Sequence, residues 1–214
     1  MEKIVKRLLH IDASPRGDRS HSRRLTGEFV QQWKASHPGD LVTYRDVGNR
    51  PPPNVDEKWI AAAFTLPEQR TADMKAVLKI SDELVDQLLA TDMLLIGVPM
   101  YNFGVPAAFK AYIDQIVRVG RTFAFEPEDE AQPYKPLVHG KQAIVIVATG
   151  DAGYEEGGRY GALNHVDPYL RTVLGFIGIT DVRFIHVGND EFGGDRLAAS
   201  LRRARERLTA AVMV

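Results

Sequence analysis

The sequence predicts an α/β fold, a three-layer sandwich in which helices cover both faces of a five-stranded parallel sheet. Three observations predict it. Short aliphatic runs recur along the 214 residues, each closed by Gly, Pro, Ser or Asn. Stretches with a helical apolar stripe separate them. Strict alternation of the two implies right-handed crossovers, and five strands favour the order 2-1-3-4-5 over a six-stranded dinucleotide fold.

The strands are read in order. Arg7–Ala13 (RLLHIDA), Asp92–Pro99 (DMLLIGVP), Gln142–Thr149 (QAIVIVAT) and Val182–Val187 (VRFIHV) are near-continuous apolar runs, as expected for strands covered on both faces. Leu41–Asp46 (LVTYRD) is more polar and suits an edge. Among the helices, Ser22–Ser36 carries Leu25, Phe29 and Trp33 at i, i+4 and i+8. Thr71–Leu89 aligns Met74, Val77, Leu78, Leu84, Val85 and Leu88. Pro106–Val117 begins with proline at a plausible first helical position, and Asp167–Ile177 and Arg196–Val212 complete the set. Arg202, Arg203, Arg205 and Arg207 belong to a solvated face of the last one. Arg50–Arg70, with its PPP run, and Glu126–Leu137 fit neither period and read as long excursions of functional or interface-forming character. There is no internal repeat and no domain boundary, so residues 1–214 read as one domain.

Composition narrows the function. Hydrophobic residues make up 44% and charged residues 26%, which fits a globular chain with a full core and excludes a disordered one. A net charge of -1 gives no electrostatic reason to expect nucleic acid. The chain has no cysteine, which excludes disulfides, Fe–S clusters, thiolate metal sites and a cysteine nucleophile. Any redox chemistry must then come from a bound organic cofactor. The histidines are scattered, so no metal site is expected. Met1–Asp12, with Lys3, Lys6 and Arg7, lacks the apolar core of a signal peptide, and no stretch reaches the length of a membrane span. The cytoplasm is the expected location.

In an open parallel sheet, ligands bind beyond the carboxyl ends of the strands where strand order reverses. The segments there depart from ordinary turns in three places. After the first strand, Ser14-Pro-Arg-Gly-Asp-Arg-Ser20-His21-Ser22 leads into a helix. Three hydroxyls at a helix N-terminus suit a phosphate, though Ser20 or Ser22 could equally serve as a helix cap. Arg16, Arg19 and Arg23 would support that phosphate or face water. After the third, Pro99-Met100-Tyr101-Asn102-Phe103-Gly104 offers an apolar and aromatic surface for a flat ring, or a packing surface for a neighbouring helix. After the fourth, Thr149-Gly150-Asp151-Ala152-Gly153 lets backbone N–H groups approach a ligand closely. Phosphate loop, aromatic loop and glycine loop on adjacent strands describe one elongated ligand with a phosphate tail and a flat head, the shape of FMN.

The run MYNF at 100–103, within PMYNFGVPAAFKAYIDQIVRVGRTFAF, resembles the FMN-dependent NADH-azoreductases, also described as NADH:quinone oxidoreductases. Ser14 followed by Ser20-His21-Ser22 matches that family's spacing, and Pro168 through LGFIGITDV extends the resemblance over nearly the whole chain. The resemblance implies a flavodoxin-like fold. It implies that Ser14, Ser20, His21 and Ser22 hold the FMN phosphate, that Pro99, Met100, Tyr101, Asn102 and Phe103 line the isoalloxazine, and that Thr149, Gly150 and Asp151 approach its pyrimidine edge. The last loop reads A-T-G-D where some members have S-R-G-G. It further implies NADH or NADPH as electron donor, a quinone or azo compound as acceptor, ping-pong kinetics, and a homodimer with active sites at the interface. Trp59, Phe64, Phe125 and Phe176 are then candidates for the substrate pocket.

The residues leave two other readings. A hydrolase pairing Ser14 with His10, His21 or His165 lacks the G-x-S-x-G nucleophile elbow, since D-A-S-P-R stands at that position. His10 lies in an apolar strand as a core residue would, and His165 near Asp167 reads as helix-start chemistry. A non-enzymatic FMN-binding electron carrier or regulator is the second, and the two excursions at strand ends favour an enzyme with a covered pocket over it.

Overall fold

The computed structural model describes residues 5–212; the first four residues of the N-terminal run lie outside the described residues. Strand β1 (Arg7–Asp12) leads to helix α1 (His21–Ser36), edge strand β2 (Leu41–Asp46) and a short helix α2 (Glu57–Phe64). Helix α3 (Ala72–Leu89), strand β3 (Met93–Pro99) and helix α4 (Ala107–Ile116) follow. The hairpin strands β4 (Phe123–Phe125) and β5 (Tyr134–Pro136) precede β6 (Gln142–Ala148), α5 (Asp167–Ile177), β7 (Asp181–Val187) and α6 (Gly194–Val212).

The main sheet has the order β2-β1-β3-β6-β7, all parallel, which is the expected 2-1-3-4-5 once the separate hairpin is set aside. Alternate residues of β1, β3, β6 and β7 feed two cores. Leu9, Ile11, Leu94, Ile96, Val145 and Val147 pack against α3, α4 and α5 on one face. Leu8, Leu95, Ile144, Ile146, Ile185 and Val187 pack against α1 and α6 on the other. Every residue of β3 is buried, which is why its sequence reads as an unbroken apolar run. The three-layer flavodoxin-like sandwich follows directly. Among the described residues, no helix is long and apolar enough to cross a membrane.

The structure corrects the sequence reading in two places. Arg50–Arg70 is not a plain excursion but contains α2. Asp56 caps that helix by accepting from the Trp59 N–H at 2.8 Å, and Arg70 closes its far end through bonds to the carbonyls of Ala62, Ala63 and Thr65. Its apolar stripe, Trp59, Ala62 and Ala63, packs on Leu78 of α3 and spans only one turn, too short to register as a period. The second excursion ends in β5, which pairs antiparallel with β4 through Phe123–Pro136 and Phe125–Tyr134. Smaller adjustments concern helix ends. Pro106 sits at the N-cap of α4 rather than inside it. The start of α5 is organised by Asn164, whose Oδ1 accepts from the N–H groups of Val166 and Asp167, rather than by His165.

Candidate functional site

A cleft opens at the carboxyl ends of β1, β3 and β6, where strand order reverses. Ser14, Arg16, Ser20, His21, Pro99, Met100, Tyr101, Thr149 and Gly150 line it, together with Ala148, Asp190 and Glu191. Eight of the twelve expected cofactor residues therefore meet in one place. Ser22, Asn102, Phe103 and Asp151 belong to the same loops but lie outside this lining.

The first loop is built for an anion. Ser20 caps α1 by accepting from the Arg23 N–H at 3.4 Å, and Ser14 Oγ accepts from the Arg16 N–H at 3.3 Å. Ser20 and Ser22 share a hydrogen bond at 3.1 Å, with Ser22 fully buried beneath. Ser20 therefore acts both as a helix cap and as part of the cleft. Because the Ser14 oxygen accepts from the backbone, its proton is left to be donated into the cleft. The N–H groups of His21 and Ser22 have no hydrogen-bond partner among the described residues, and the helix dipole adds positive potential there.

Beneath the loop lies a polar network that sequence alone did not reveal. Asp12, buried, accepts from Thr26 Oγ1 at 2.8 Å and from the Tyr44 hydroxyl at 3.1 Å. Arg23 stands 3.7 Å from Asp12, bonds Asp46, and donates through Nε to the Ser14 carbonyl. Its charge is held more firmly than in water: burial opposes it, but Asp46 and Asp12 outweigh that. His10 is a core residue as expected, 3.3 Å from Asp12 and packed against the Tyr44 ring. The histidine–serine pairs of a hydrolase do not form: among the described residues Ser14 Oγ has no histidine partner.

The aromatic loop is a tight hairpin. Tyr101 and Gly104 exchange two backbone hydrogen bonds of 3.0 and 3.1 Å, and Asn102 and Phe103 between them have φ of 48° and 68°. Positive φ at both central residues is what a type I′ turn requires. Asn tolerates that conformation; Phe does not, so the turn stores strain. The Phe103 carbonyl accepts from His165 N–H at 2.9 Å, which ties the turn to the approach of α5.

The glycine loop follows β6. Thr149 Oγ1 donates to the Asp151 carbonyl at 2.5 Å, and the Asp151 carboxylate accepts from the Ala152 N–H at 2.7 Å. Asp151 thus stabilises its own turn, while the N–H groups of Gly150 and Asp151 have no partner among the described residues. A Cβ on Gly150 would lie 2.5 Å from the Glu191 carboxylate, the end of a flexible side chain that would have to move aside.

The loop after β7 was missed. Asp190 bridges the phosphate loop, with Oδ1 at 2.9 Å from His21 Nε2 and Oδ2 paired to Arg16. Its backbone is held to the glycine loop by Asp190 N–H to Thr149 O and Glu191 N–H to Gly150 O. The available signal was an acidic pair inside the glycine- and asparagine-rich segment 188–194, which no local rule connects to residues 14–22.

The four candidate pocket aromatics fall elsewhere. Trp59 is 8% exposed in the small core under α2, where its Nε1 donates to Gln115 Oε1 at 2.9 Å. Phe64 is the most exposed, at 69%. Phe125 and Phe176 join an aromatic cluster on the β4–β5 hairpin, with Phe125 5.3 Å and Phe176 5.6 Å from the Tyr134 ring.

Comparison with known proteins shows the family and the fold. The family model for a flavodoxin-like fold matches residues 6–212. An FMN-dependent NADH:quinone oxidoreductase 2 of Trichormus variabilis is 50% identical over 205 residues, covering 96% of this chain and 97% of its own. An FMN-dependent NADH:quinone oxidoreductase of Nostoc sp. is also 50% identical over 205 residues, with the same coverage. A crystal structure of an azoreductase from Bacillus anthracis superposes with a TM-score of 0.85 at 23% identity, covering 97% of this chain and 99% of that one, which supports the fold. The chain belongs to the flavodoxin-like family of FMN-dependent NADH:quinone oxidoreductases.

Proposed function

We propose that this chain, acting as one domain per subunit, binds FMN in the cleft and passes two electrons from NADH or NADPH to quinones or aromatic azo compounds. The observation that carries the reading is the meeting of Ser14, Ser20 and His21 with Pro99–Tyr101 and Thr149–Gly150 at the point where strand order reverses. The residues fit the cofactor. A helix N-terminus with donor hydroxyls suits a phosphate, and the Gly150 and Asp151 N–H groups, without partners among the described residues, suit the polar edge of a flat ring.

Bound FMN would supply the two-electron chemistry itself. The protein holds and shapes. Ser14, Ser20 and His21 face the phosphate, with Ser22 supporting Ser20 from below. The 101–104 hairpin, with Met100, Asn102 and Phe103, flanks the ring, and the N–H groups of Gly150 and Asp151 stabilise negative charge at its edge. Donor and acceptor use the same open face in turn, which gives ping-pong kinetics.

The reading extends to a homodimer. Phe64, Ile60 and Leu66 on the α2 segment and Phe125 on the hairpin are large apolar side chains exposed to solvent. A second copy covering them would bring Phe64 or Phe125 to a substrate pocket, with Phe176 packed against Phe123 and Tyr134 of the same hairpin; Trp59 supports α2 from within. The cytoplasm suits a reductase that draws on NAD(P)H.

The test is direct. A purified preparation should be yellow, bleach when NADH is added without oxygen, and recover its colour on addition of a quinone. Double-reciprocal plots at several acceptor concentrations should be parallel. A colourless protein that fails to take up FMN overturns the reading, and intersecting plots overturn the shared site.

A further inference from the structure

We infer that Asp190 competes with the cofactor's phosphate for the same donors, and that its carboxylate must turn out of the cleft before phosphate is seated; this rests on the FMN reading above. The argument begins with the tautomer of His21. Arg24 NH2 lies 2.6 Å from His21 Nδ1, and a guanidinium can only donate, so Nδ1 accepts and the ring's hydrogen is on Nε2. Asp190 Oδ1 stands 2.9 Å from that nitrogen. The carboxylate therefore occupies the space in front of the imidazole's single donor.

Arg16 is engaged as well, through one guanidinium nitrogen paired to Asp190 Oδ2. One carboxylate thus bridges the two cationic or donor side chains that flank Ser14 and Ser20 in the cleft. It has the chemistry of the ligand those side chains suit: an oxyanion with two acceptor oxygens held at a helix N-terminus. A phosphate dianion beside a seated carboxylate would meet like charge at short range in a partly desolvated site, which opposes binding. The two arrangements exclude each other.

The exchange needs little movement. The backbone around Asp190 is fixed by hydrogen bonds to Thr149 and Gly150, and Asn189 anchors the turn by donating from Nδ2 to Ser200 Oγ at 3.0 Å. The Asp190 side chain keeps 23% exposure, so a rotamer change carries it into solvent while the loop stays in place. The carboxylate then acts as an internal rival that lowers affinity for any phosphate-bearing ligand and leaves a ligand without phosphate unaffected.

The experiment measures FMN and riboflavin affinity by flavin fluorescence quenching for the full-length chain, Asp190→Asn and Asp190→Ser, with circular dichroism to check that each variant folds. The expected result is about tenfold tighter FMN binding in both variants with riboflavin affinity unchanged. Equal FMN affinity in all three proteins overturns the competition while leaving the FMN reading intact. Weaker FMN binding in the variants also overturns it, because Asp190 would then be a positioning residue for Arg16 and His21. A parallel rise for riboflavin overturns it too, since the phosphate would not be the group concerned. If no form of the protein binds FMN, the functional reading fails first and the competition with it.

Discussion

Arg23 donates through Nε to the backbone carbonyl of Ser14 at 2.5 Å, fastening the start of the phosphate loop to the first turn of α1. The same guanidinium faces Asp46 and the buried Asp12. Arg23→Met should therefore leave a buried carboxylate uncompensated and release the loop together. We expect a loss of about 3 kcal/mol in urea unfolding and weaker FMN uptake. Unchanged stability would mean that Tyr44 and Thr26 satisfy Asp12 without it.

Gly48 controls the other side of that loop. A Cβ there would stand 2.5 Å from the Ser14 carbonyl carbon and 2.9 Å from the Pro15 nitrogen, both backbone atoms. Gly48→Ala should push residues 14 and 15 into the cleft and destabilise the fold by about 1–3 kcal/mol, with lower FMN affinity. A variant with wild-type melting and flavin uptake would show that the loop yields freely.

The hairpin tip offers a trade between stability and function. Phe103 holds φ of 68°, which an aromatic residue adopts at a cost. Phe103→Asn, which tolerates that region, should raise stability by about 0.5–1 kcal/mol while lowering flavin affinity through loss of the ring. Thermal melts and fluorescence titration of the same preparation read both quantities. A fall in stability would place the ring's packing above the strain.

Alkaline pH reports on two tyrosines. Burial, with the Asp12 carboxylate beside it, pushes the Tyr44 hydroxyl up to about 12; burial and Asp114 do the same to Tyr169. Part of the Tyr44 ring is exposed, but its hydroxyl lies against Asp12 and Arg23. Each group holds its proton more tightly folded than unfolded. Its contribution is complete below the ordinary value of 10 and is lost as pH rises through about 12. Urea midpoints should fall across that window, and Tyr44→Phe should remove part of the late phase of an ultraviolet tyrosinate titration. An unaltered titration in that variant would refute the assignment.

Trp59 is expected to behave as a core residue. Gln115 accepts from its Nε1 and donates in turn to the Pro53 carbonyl at 2.8 Å, which pins the PPP run to α4. Trp59→Phe should cost about 1–2 kcal/mol through the unpaired Gln115 oxygen and leave the acceptor KM unaltered. A several-fold change in KM at constant stability would return Trp59 to the substrate pocket.

Much of this was legible in the sequence because strands covered on both faces announce themselves. The all-apolar run of β3 and the Leu25–Phe29–Trp33 stripe each depend on one element and its period. The meeting of Ser14, Ser20 and His21 in one cleft was readable for the same reason: they lie within eight positions around a single strand–helix turn. Helix α2 was hidden because its stripe is one turn long and its stability comes from Gln115 and Leu78, distant in sequence. Asp190 was hidden for a related cause. Its partners are 174 and 169 positions away, Arg16 and His21, and only the closing of the sheet brings β7 beside β6. Trp59, Phe64, Phe125 and Phe176 follow from the family resemblance and its interface pocket, and their aromatic character alone does not distinguish a core from a rim.

The two outermost strands carry a further consequence. β2 exposes Leu41, Thr43 and Tyr44, with Arg45 half-buried against Glu83, whereas β7 presents Asp181 and Arg183, which pair with each other. Unsatisfied amides at a sheet margin invite another chain to zip on laterally, and charges there make such growth unfavourable. The β7 margin is thus guarded by its own charges, and the β2 margin, with two exposed large apolar side chains, is the side at which this sheet is open to lateral growth.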